Sequence, residues 1–361
     1  MYARTLFMRA LREVERITTR KQVAERAGVS EATVSRVLNN VGPVKESTRR
    51  KVLQAAKELG YVPNAIAQRF ARRKSGSIGV VLPFVPKVRM FSTFYFSEIL
   101  SGIGEEIVRK GLDLLLLFKP ADGEMDYTMP FRTGKIDALI ILGSRNRPGE
   151  LRELIKLQQS GYPFCLVNQH FPGYSFNGID ADHVRGSREA VQHLIEQGYK
   201  RIAFLNGPVE YSNSLDRLEG YRQALEEAGL PLVSDLIFEG NYSRTSGYRA
   251  ASDVAAKISD IDAIFAANDR MAIGLIQGLY ERGIRAGVDI AVVGYDNIDA
   301  AVVCEPPLTT VHVPFHEMGK RAAEWMISQM TSGAEVHFYE KLETELIVRR
   351  SSIKEGGVTS Q

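Results

Sequence analysis

The chain has 361 residues, 44% hydrophobic and 25% charged, enough to bury sizeable cores and too many for one ordinary domain. It contains no run of 18 apolar residues, and its charged N-terminus, MYARTLFMRALREVER, lacks an apolar stretch followed by a cleavage site; neither a membrane span nor a secretion signal is expected, and a cytoplasmic location is. The net charge of +3 hides a segregation: residues 1–75 carry 17 Lys+Arg against 6 Asp+Glu, a balance of +11, which leaves the rest at −8. A basic head of this kind supplies the phosphate-neutralising part of nucleic-acid affinity.

Residues 19–39, TRKQVAERAGVSEATVSRVLN, read as two short helices joined at Gly28. Ala24, Gly28 and Val34 suit a helix-turn-helix: a small residue where the helices cross, a glycine free to take positive φ in the turn, and an aliphatic side chain turned inward. Ser30 reads as the N-cap of the second helix. Beyond it Glu31, Ala32, Ser35, Arg36 and Asn39 face outward; small or hydrogen-bonding, they suit a helix that reads base edges in the major groove. A plain surface αα-hairpin is the alternative, but it does not account for the charge segregation. In ESTRRKVLQAAKELG, residues 46–60, the apolar Val52, Leu53, Ala56 and Leu59 recur with a helical period and predict a third helix. The next stretch, YVPNAIAQRFARRKSGS, sets Tyr61, Asn64 and five longer polar or basic side chains around a short apolar stripe of Ile66, Ala67 and Phe70, a linker suited to lying on something anionic.

The body alternates apolar runs with longer amphipathic segments. SIGVVLPF, LDLLLLF, DALIILG, FCLVNQ, RIAFLNG, DAIFAAN and IAVVGYD are short and rich in Val, Ile, Leu and Phe, the pattern of parallel sheets covered on both faces by crossover helices; even LLLLF at 114–118 has the length of a buried strand. Two successive sheets fit better than one. Open parallel sheets bind ligands beyond the carboxyl ends of their strands. There the chain places Asn268-Asp269, Asp296-Asn297 and Asn241-Tyr242, with Arg217 opening an amphipathic helix. Amides, carboxylates and a guanidinium around an aromatic ring suit a polyol, whose hydroxyls donate and accept while the ring covers its C–H face. For Asn268 or Asp269 taken alone, a helix cap is an equal reading.

AERAGVSEATVSRVLNN, LGYVPNAIAQRF and SIGVVLP, with KIDALIILGS, GYKRIAFLNGP, DRLEGYRQALEEAGL, IFAANDRMAIG, VVGYDN and PPLTTVHVP further on, resemble the lactose-repressor (LacI/GalR) family of bacterial transcription regulators from about Thr18 to Ser352. The resemblance implies an α/β protein with an all-helical helix-turn-helix head over 18–62, a hinge helix or linker over 63–75, an effector-binding and dimerising body over 76–355, and a tail over 356–361. Residues 1–17 precede the usual start of the family; an extra helix, a disordered arm and an upstream start codon, with Met8 available inside, all stay open. By the same comparison the body consists of two Rossmann-like lobes of periplasmic-binding-protein type, 76–198 with 315–334 and 199–311 with 335–355, joined by crossings near Gly198, near Val311 to Pro314 and near Ala334.

Carried over residue by residue, the resemblance implies DNA contacts at Thr19, Ser30, Glu31, Ala32, Thr33, Ser35, Arg36, Asn39, Thr48, Tyr61, Asn64, Ala67 and Phe70. Phe70 stands where the family presents a leucine wedge to the minor groove. Effector contacts are implied at Arg217, Tyr242, Asn268 and Asp296, with Tyr95 and Phe96 closing the pocket from the other lobe, although an aromatic pair before a helix is as often plain core. Arg185 replaces an acidic residue of lactose-type members and favours an anionic ligand such as a phosphosugar or sugar acid. Tyr211 stands where purine-responsive relatives carry arginine, which favours a sugar over a purine.

Enzyme signatures are weak. Gly102-Ile103-Gly104 lacks a third glycine at dinucleotide-binding spacing, Pro314 separates His312 from His316, neither GxSxG nor a phosphate loop occurs, and Ser187 and Ser214 have no base at a readable spacing. No catalytic residue, cofactor or metal is expected, and Cys165 and Cys304 read as reduced packing residues. The C-terminal IKEGGVTSQ has no heptad of leucines, so the expected assembly is a homodimer on a pseudo-palindromic double-stranded operator, controlled by a sugar or sugar derivative. A solute-binding protein or a sugar-processing enzyme on the same body is the competing class.

Overall fold

The computed structural model describes residues 18–39, 41–61, 74–84, 90–120, 123–332 and 337–354. The chain divides between Ser75 and Gly76 into two units.

The first unit contains helices α1 (Arg20–Ala27), α2 (Glu31–Leu38) and α3 (Glu46–Glu58). Thr19 opens α1 with a reciprocal cap: its hydroxyl accepts from the Gln22 N–H while the Gln22 side chain accepts from the Thr19 N–H. Gly28 ends α1 at φ 65°, a left-handed conformation that costs glycine little, and Ser30 caps α2 by accepting from the Thr33 N–H. The core is Val23, Ala24, Val34, Val37, Val52, Ala55 and Ala56. Leu53 departs from the sequence expectation: it is 48% exposed, and Ala55 takes the inward position because 52, 55, 56 and 59 form the i, i+3, i+4, i+7 stripe.

The second unit holds two six-stranded sheets. The proximal sheet contains β1 (Ser77–Phe84), β2 (Asp113–Pro120), β3 (Ala138–Leu142), β4 (Phe164–Val167) and β5 (Gly178–Ala181), and the distal sheet β6 (Ile202–Asn206), β7 (Ile237–Glu239), β8 (Ala263–Ala266), β9 (Ala291–Asp296) and β10 (Thr309–His312). A late strand completes each: β11 (Tyr339–Leu342) joins β5 in parallel, and β12 (Glu345–Ile347) joins β10 antiparallel. The orders are β11-β5-β4-β3-β1-β2 and β12-β10-β9-β8-β6-β7, the same doubly wound plan twice. The intervening helices are α4 (Phe94–Lys110), α5 (Met129–Arg132), α6 (Pro148–Gln159), α7 (His183–Glu196), α8 (Ser212–Glu227), α9 (Arg244–Ala256), α10 (Asp269–Tyr280), α11 (Ala300–Val303) and α12 (Phe315–Ser332).

Two expected crossings between lobes move. The first lies at Asp182–His183 and not near Gly198, because α7 packs on α8 and the distal sheet, burying Ala190, Val191 and Leu194. The third lies at Glu343–Thr344: Ala334 is outside the described residues, but β11 after it still pairs with β5. The second falls at Val313–Pro314, between β10 and α12. β2 also differs from expectation, since it forms an edge of its sheet with Leu114 and Phe118 exposed; its apolar run is therefore not that of a central strand.

The expected GxG is explained by packing. Gly102 lies in α4, where a Cβ would stand 2.0 Å from the His316 carbonyl oxygen; Gly319 of α12 meets the Ile99 carbonyl oxygen in the same way at 2.1 Å. Two glycines thus let α4 and α12 approach at backbone distance. His312 ends β10 and His316 lies on α12, so they share no helical face. Both cysteines are free thiols, with Cys165 buried in β4.

Candidate functional site

A cavity of about 360 Å³ opens at the carboxyl ends of both sheets. The distal lobe lines it with Asn213, Arg217, Asn241, Tyr242, Asn268, Arg270 and Asp296. The proximal lobe contributes Phe94, Tyr95 and Phe96 from the first turn of α4, Arg145 after β3, Asn168 and Gln169 after β4, and Phe315 from α12.

Arg217 anchors the distal wall. Its side chain is only 2% exposed, its Nη1 donates to the Ala267 carbonyl at 2.7 Å, its guanidinium lies 4.1 Å from the Tyr295 ring centroid, and Asp296 Oδ1 is 3.7 Å from Nη2. A guanidinium so enclosed is tolerated because stacking and a counter-charge replace lost water. Among the described residues its Nε has no hydrogen-bond partner. Burial pushes the Asp296 carboxyl up to about 7 although Arg217 and Arg270 act against the rise. The Tyr242 hydroxyl bonds Ser214 and donates to Asn213 Oδ1 at 3.0 Å, fixing the ring against the cavity. Asn268 is largely spent on structure: its Oδ1 caps α10 by accepting from the Met271 N–H, and its Nδ2 donates to the Tyr242 carbonyl. Asp269 is wholly structural, accepting from Thr310 Oγ1 at 2.6 Å and the Ile298 N–H at 2.9 Å. Burial, then the nearby Asp296, raises its carboxyl well above the usual range.

Backbone strain gathers here. Asn168, Tyr242, Asp296 and Asn297 are the described non-glycine residues with positive φ, at 61°, 64°, 102° and 56°; the first three line the cavity and the fourth adjoins it. For Tyr242 in particular this conformation costs on the order of 1–3 kcal/mol, a cost that persists where the surroundings force a side chain into a working position.

The lobes are tied together behind the cavity. His183, fully buried at the first crossing, bonds Asn168 Oδ1 through Nε2 at 2.7 Å and the Tyr295 hydroxyl through Nδ1 at 3.2 Å. Burial, then the Arg217 charge, lowers its basicity well below the ordinary value, so it acts as a neutral link. Ser212 donates to Gln169 Oε1 at 3.1 Å and accepts from the His170 N–H at 2.9 Å.

In the head, α2 exposes Glu31, Ala32 and Arg36, with Thr33, Ser35 and Asn39 half-buried beside them. Glu31 pairs with Arg20 at 3.2 Å, and Asn39 donates to Ser35 Oγ at 3.1 Å. Thr19 and Ser30 serve as caps, Thr48 lies half-buried in the first turn of α3, and Tyr61 packs against the head core. Asn64, Ala67 and Phe70 lie outside the described residues.

Residues 19–64 match the model of bacterial regulatory proteins of the lacI family, and 191–352 match the periplasmic binding protein-like domain. The HTH-type transcriptional regulator CelR of Thermobifida fusca is 33% identical over 342 residues, covering 94% of this chain and 99% of CelR. The HTH-type transcriptional repressor PurR of Vibrio atlanticus is 32% identical over 340 residues, 94% and 99% of the two chains. This chain belongs to the lacI family of bacterial regulatory proteins. Among solved structures, a CelR–cellobiose complex matches at a TM-score of 0.70 with 32% identity, covering 92% of this chain and 99% of that one. The lac repressor dimer bound to operator and the anti-inducer ONPF matches at 0.80 with 28% identity, covering 93% and 99%. The chain is thus a DNA-binding transcriptional regulator with a helix-turn-helix head and a two-lobed body. No helix among the described residues is long and apolar enough to cross a membrane.

Of the pocket residues expected in this lacI-family regulator, Arg217, Tyr242, Asn268, Asp296, Tyr95 and Phe96 come together at one cavity. Arg185 does not. It stands exposed in the first turn of α7, bonded to Glu189 at 2.8 Å and Glu343 at 3.4 Å, because the first crossing precedes α7 and turns that helix's start away from the cleft. Arg145, Asn168, Gln169, Asn213 and Arg270 were missed. Asn168 and Gln169 follow β4 and Arg145 follows β3, so the rule of reading the residues just past each apolar run reaches them once applied to the proximal lobe; Asn213 and Arg270 sit in helical first turns and give no such signal.

Proposed function

We propose that the cavity binds a sugar or sugar derivative and that its occupancy sets the affinity of the head for a pseudo-palindromic operator, read by a homodimer. The carrying observation is the buried Arg217–Asp296 pair at the carboxyl ends of the distal sheet, beside Tyr242 and across the cleft from Tyr95 and Phe96. Charged and amide groups grip hydroxyls while aromatic faces cover C–H surface, and the volume of about 360 Å³ is within the small-molecule range. The complex of CelR with cellobiose supports the same class. With Arg185 outside the cavity, an anionic ligand loses that argument; Arg145, Arg217 and Arg270 against the single carboxylate of Asp296, together with the amides of the lining, keep sugar acids and phosphosugars within the class.

A ligand held by both lobes favours the lobe angle at which both walls reach it, and any difference in operator affinity between angles is then linked to occupancy. In the head, Arg36 and Glu31 carry base discrimination, while Arg72, Arg73 and Lys74 supply phosphate neutralisation and Phe70 the minor-groove wedge.

The test is a thermal-shift and calorimetric screen of the full chain against cellobiose, other neutral sugars, sugar acids, phosphosugars and purines, followed by operator titration with and without each hit. A stabilising sugar that shifts operator affinity, and that Asp296→Asn weakens, is the expected result. A purine as the sole hit, or a sugar that binds equally well to Asp296→Asn, overturns it. Arg36→Ala should change sequence preference, whereas neutralising the basic run should flatten the salt dependence.

A further inference from the structure

Behind the effector cavity, three residues far apart in sequence converge: His170 in the loop after β4, Asp180 in β5 and Asp216 in α8. One ligand atom from each lies within 4.8 Å of the others, with His170 Nδ1 3.2 Å from Asp180 Oδ2 and 3.7 Å from Asp216 Oδ2. We propose that His170, Asp180 and Asp216 form a divalent transition-metal site that clamps the proximal lobe to the distal one.

Donors bound to one Zn²⁺ sit about 2.0–2.2 Å from it, hence on the order of 3–4.4 Å from each other, close to the spacing already present. One imidazole with two carboxylates selects an ion such as Zn²⁺, Co²⁺ or Mn²⁺ over Mg²⁺, which prefers oxygen alone. The second observation is independent of the spacing. Asp216 Oδ2 is shut off from solvent and, among the described residues, takes no hydrogen bond; its one close counter-charge is the His170 imidazole at 3.7 Å. An enclosed carboxylate oxygen without a donor is costly; in the metal-free chain the His170 imidazole, hydrogen-bonded to Asp180 at 3.2 Å, offsets part of that cost, and a directly bound cation replaces it with a closer charge. Asp180, by contrast, is held in place: its Oδ2 accepts from the Tyr339 hydroxyl at 3.0 Å and its Oδ1 from the Ala181 N–H at 2.9 Å. Such fixing of a ligand by its neighbours is what a metal site requires.

His170 borders a cavity of about 380 Å³ shared with Tyr339 and Lys341, which gives an approach to the cluster from the His170 side; Asp180 and Asp216 do not line it. The Lys341 cation opposes binding and so sets an upper limit on affinity. His183 is not a ligand, because its Nε2 is bonded to Asn168.

The function follows from which lobe supplies which ligand. His170 and Asp180 belong to the proximal lobe and Asp216 to the distal one, so the full set exists only at a lobe angle like this one. Binding of the ion therefore favours this angle over any other.

The test uses the untagged full chain, stripped with chelator and titrated with Co²⁺ alone, then competed with Zn²⁺. One Co²⁺ per chain with a visible d–d spectrum is expected, displaced by Zn²⁺. His170→Gln and Asp216→Asn should each weaken binding at least tenfold, while His316→Gln, on a distant helix, leaves it unchanged; melting of the metal-free variants shows that they are folded. Hydrogen exchange with Zn²⁺ should slow both in the loop around His170 and in the first turns of α8. No stoichiometric spectrum, or wild-type binding by both variants, overturns the site. Protection confined to one lobe overturns the clamp.

Discussion

β1 to β5 and β6 to β10 follow one strand order, with a late strand completing each sheet, yet the two lobes furnish the cavity with different chemistry. The distal lobe supplies Arg217, Arg270 and Asp296 with Tyr242 between them. The proximal lobe supplies the aromatic run Phe94, Tyr95 and Phe96, backed by Phe315, whose ring stands edge-on to Tyr95 at 5.2 Å. A shared topology thus fixes where a ligand sits, and the residues just past each strand fix what it is. With the charged residues mainly on the distal lobe and the aromatic run, beside Arg145, Asn168 and Gln169, on the proximal one, the proposed ligand needs both walls, which is the requirement for coupling occupancy to lobe angle.

Substitutions can break that division of labour. Arg217→Met should have the largest effect: it leaves the buried Asp296 carboxylate without its guanidinium, costs about 3–5 kcal/mol of stability in chemical denaturation, and abolishes effector binding in calorimetry. Wild-type affinity in a folded Arg217→Met chain would place the grip elsewhere.

Asp296 gives the comparison a pH dependence. Its carboxyl titrates near 7 in the folded chain against an ordinary 3.8, so the folded chain binds that proton more tightly than the unfolded one. Stability from this group is therefore fully present below about pH 4 and is lost as the pH rises through about 7. Asp296→Asn should flatten the slope of unfolding free energy between those values by a few kcal/mol overall. An unchanged slope would mean that the carboxyl is not desolvated as described.

On the apolar side, Phe96→Ala should weaken effector binding by about tenfold through lost ring contact, with the Asp296 pH slope intact. Loss of that slope in the variant would show that cover and grip are not separate. Arg185→Ala should do least. Its partners are Glu189 and Glu343 at the surface, so effector affinity should stay within about twofold and the melting temperature nearly unchanged; a large loss of affinity would return Arg185 to the site.

Local features were the most legible. Thr19, Gly28 and Ser30 announce the head because caps and a left-handed turn depend on residues three or four apart, and the apolar runs announce the strands because a doubly covered sheet needs continuous hydrophobicity. Tyr242 and Asp296 were legible because carboxyl ends of parallel strands are marked by where apolar runs stop; Arg217, expected at the opening of a helix but lying in the second turn of α8, was legible through the family resemblance. Arg185 misled for a reason of the same kind: its placement depended on where the chain crosses between lobes, and His183–Glu196 has an apolar face that either sheet could cover.

By itself, the sequence determined the helix-turn-helix head, the two mainly parallel sheets and most of the distal wall of the pocket, since each is written in short-range periodicity and in the residues that follow it. Only the tertiary structure decided that α7 and β11 belong to the lobes they do, that Asn168, Tyr242 and Asp296 carry strained backbones around one cavity, and that His170, Asp180 and Asp216 meet. These depend on which surfaces bury each other across tens of residues, and no local pattern encodes that choice.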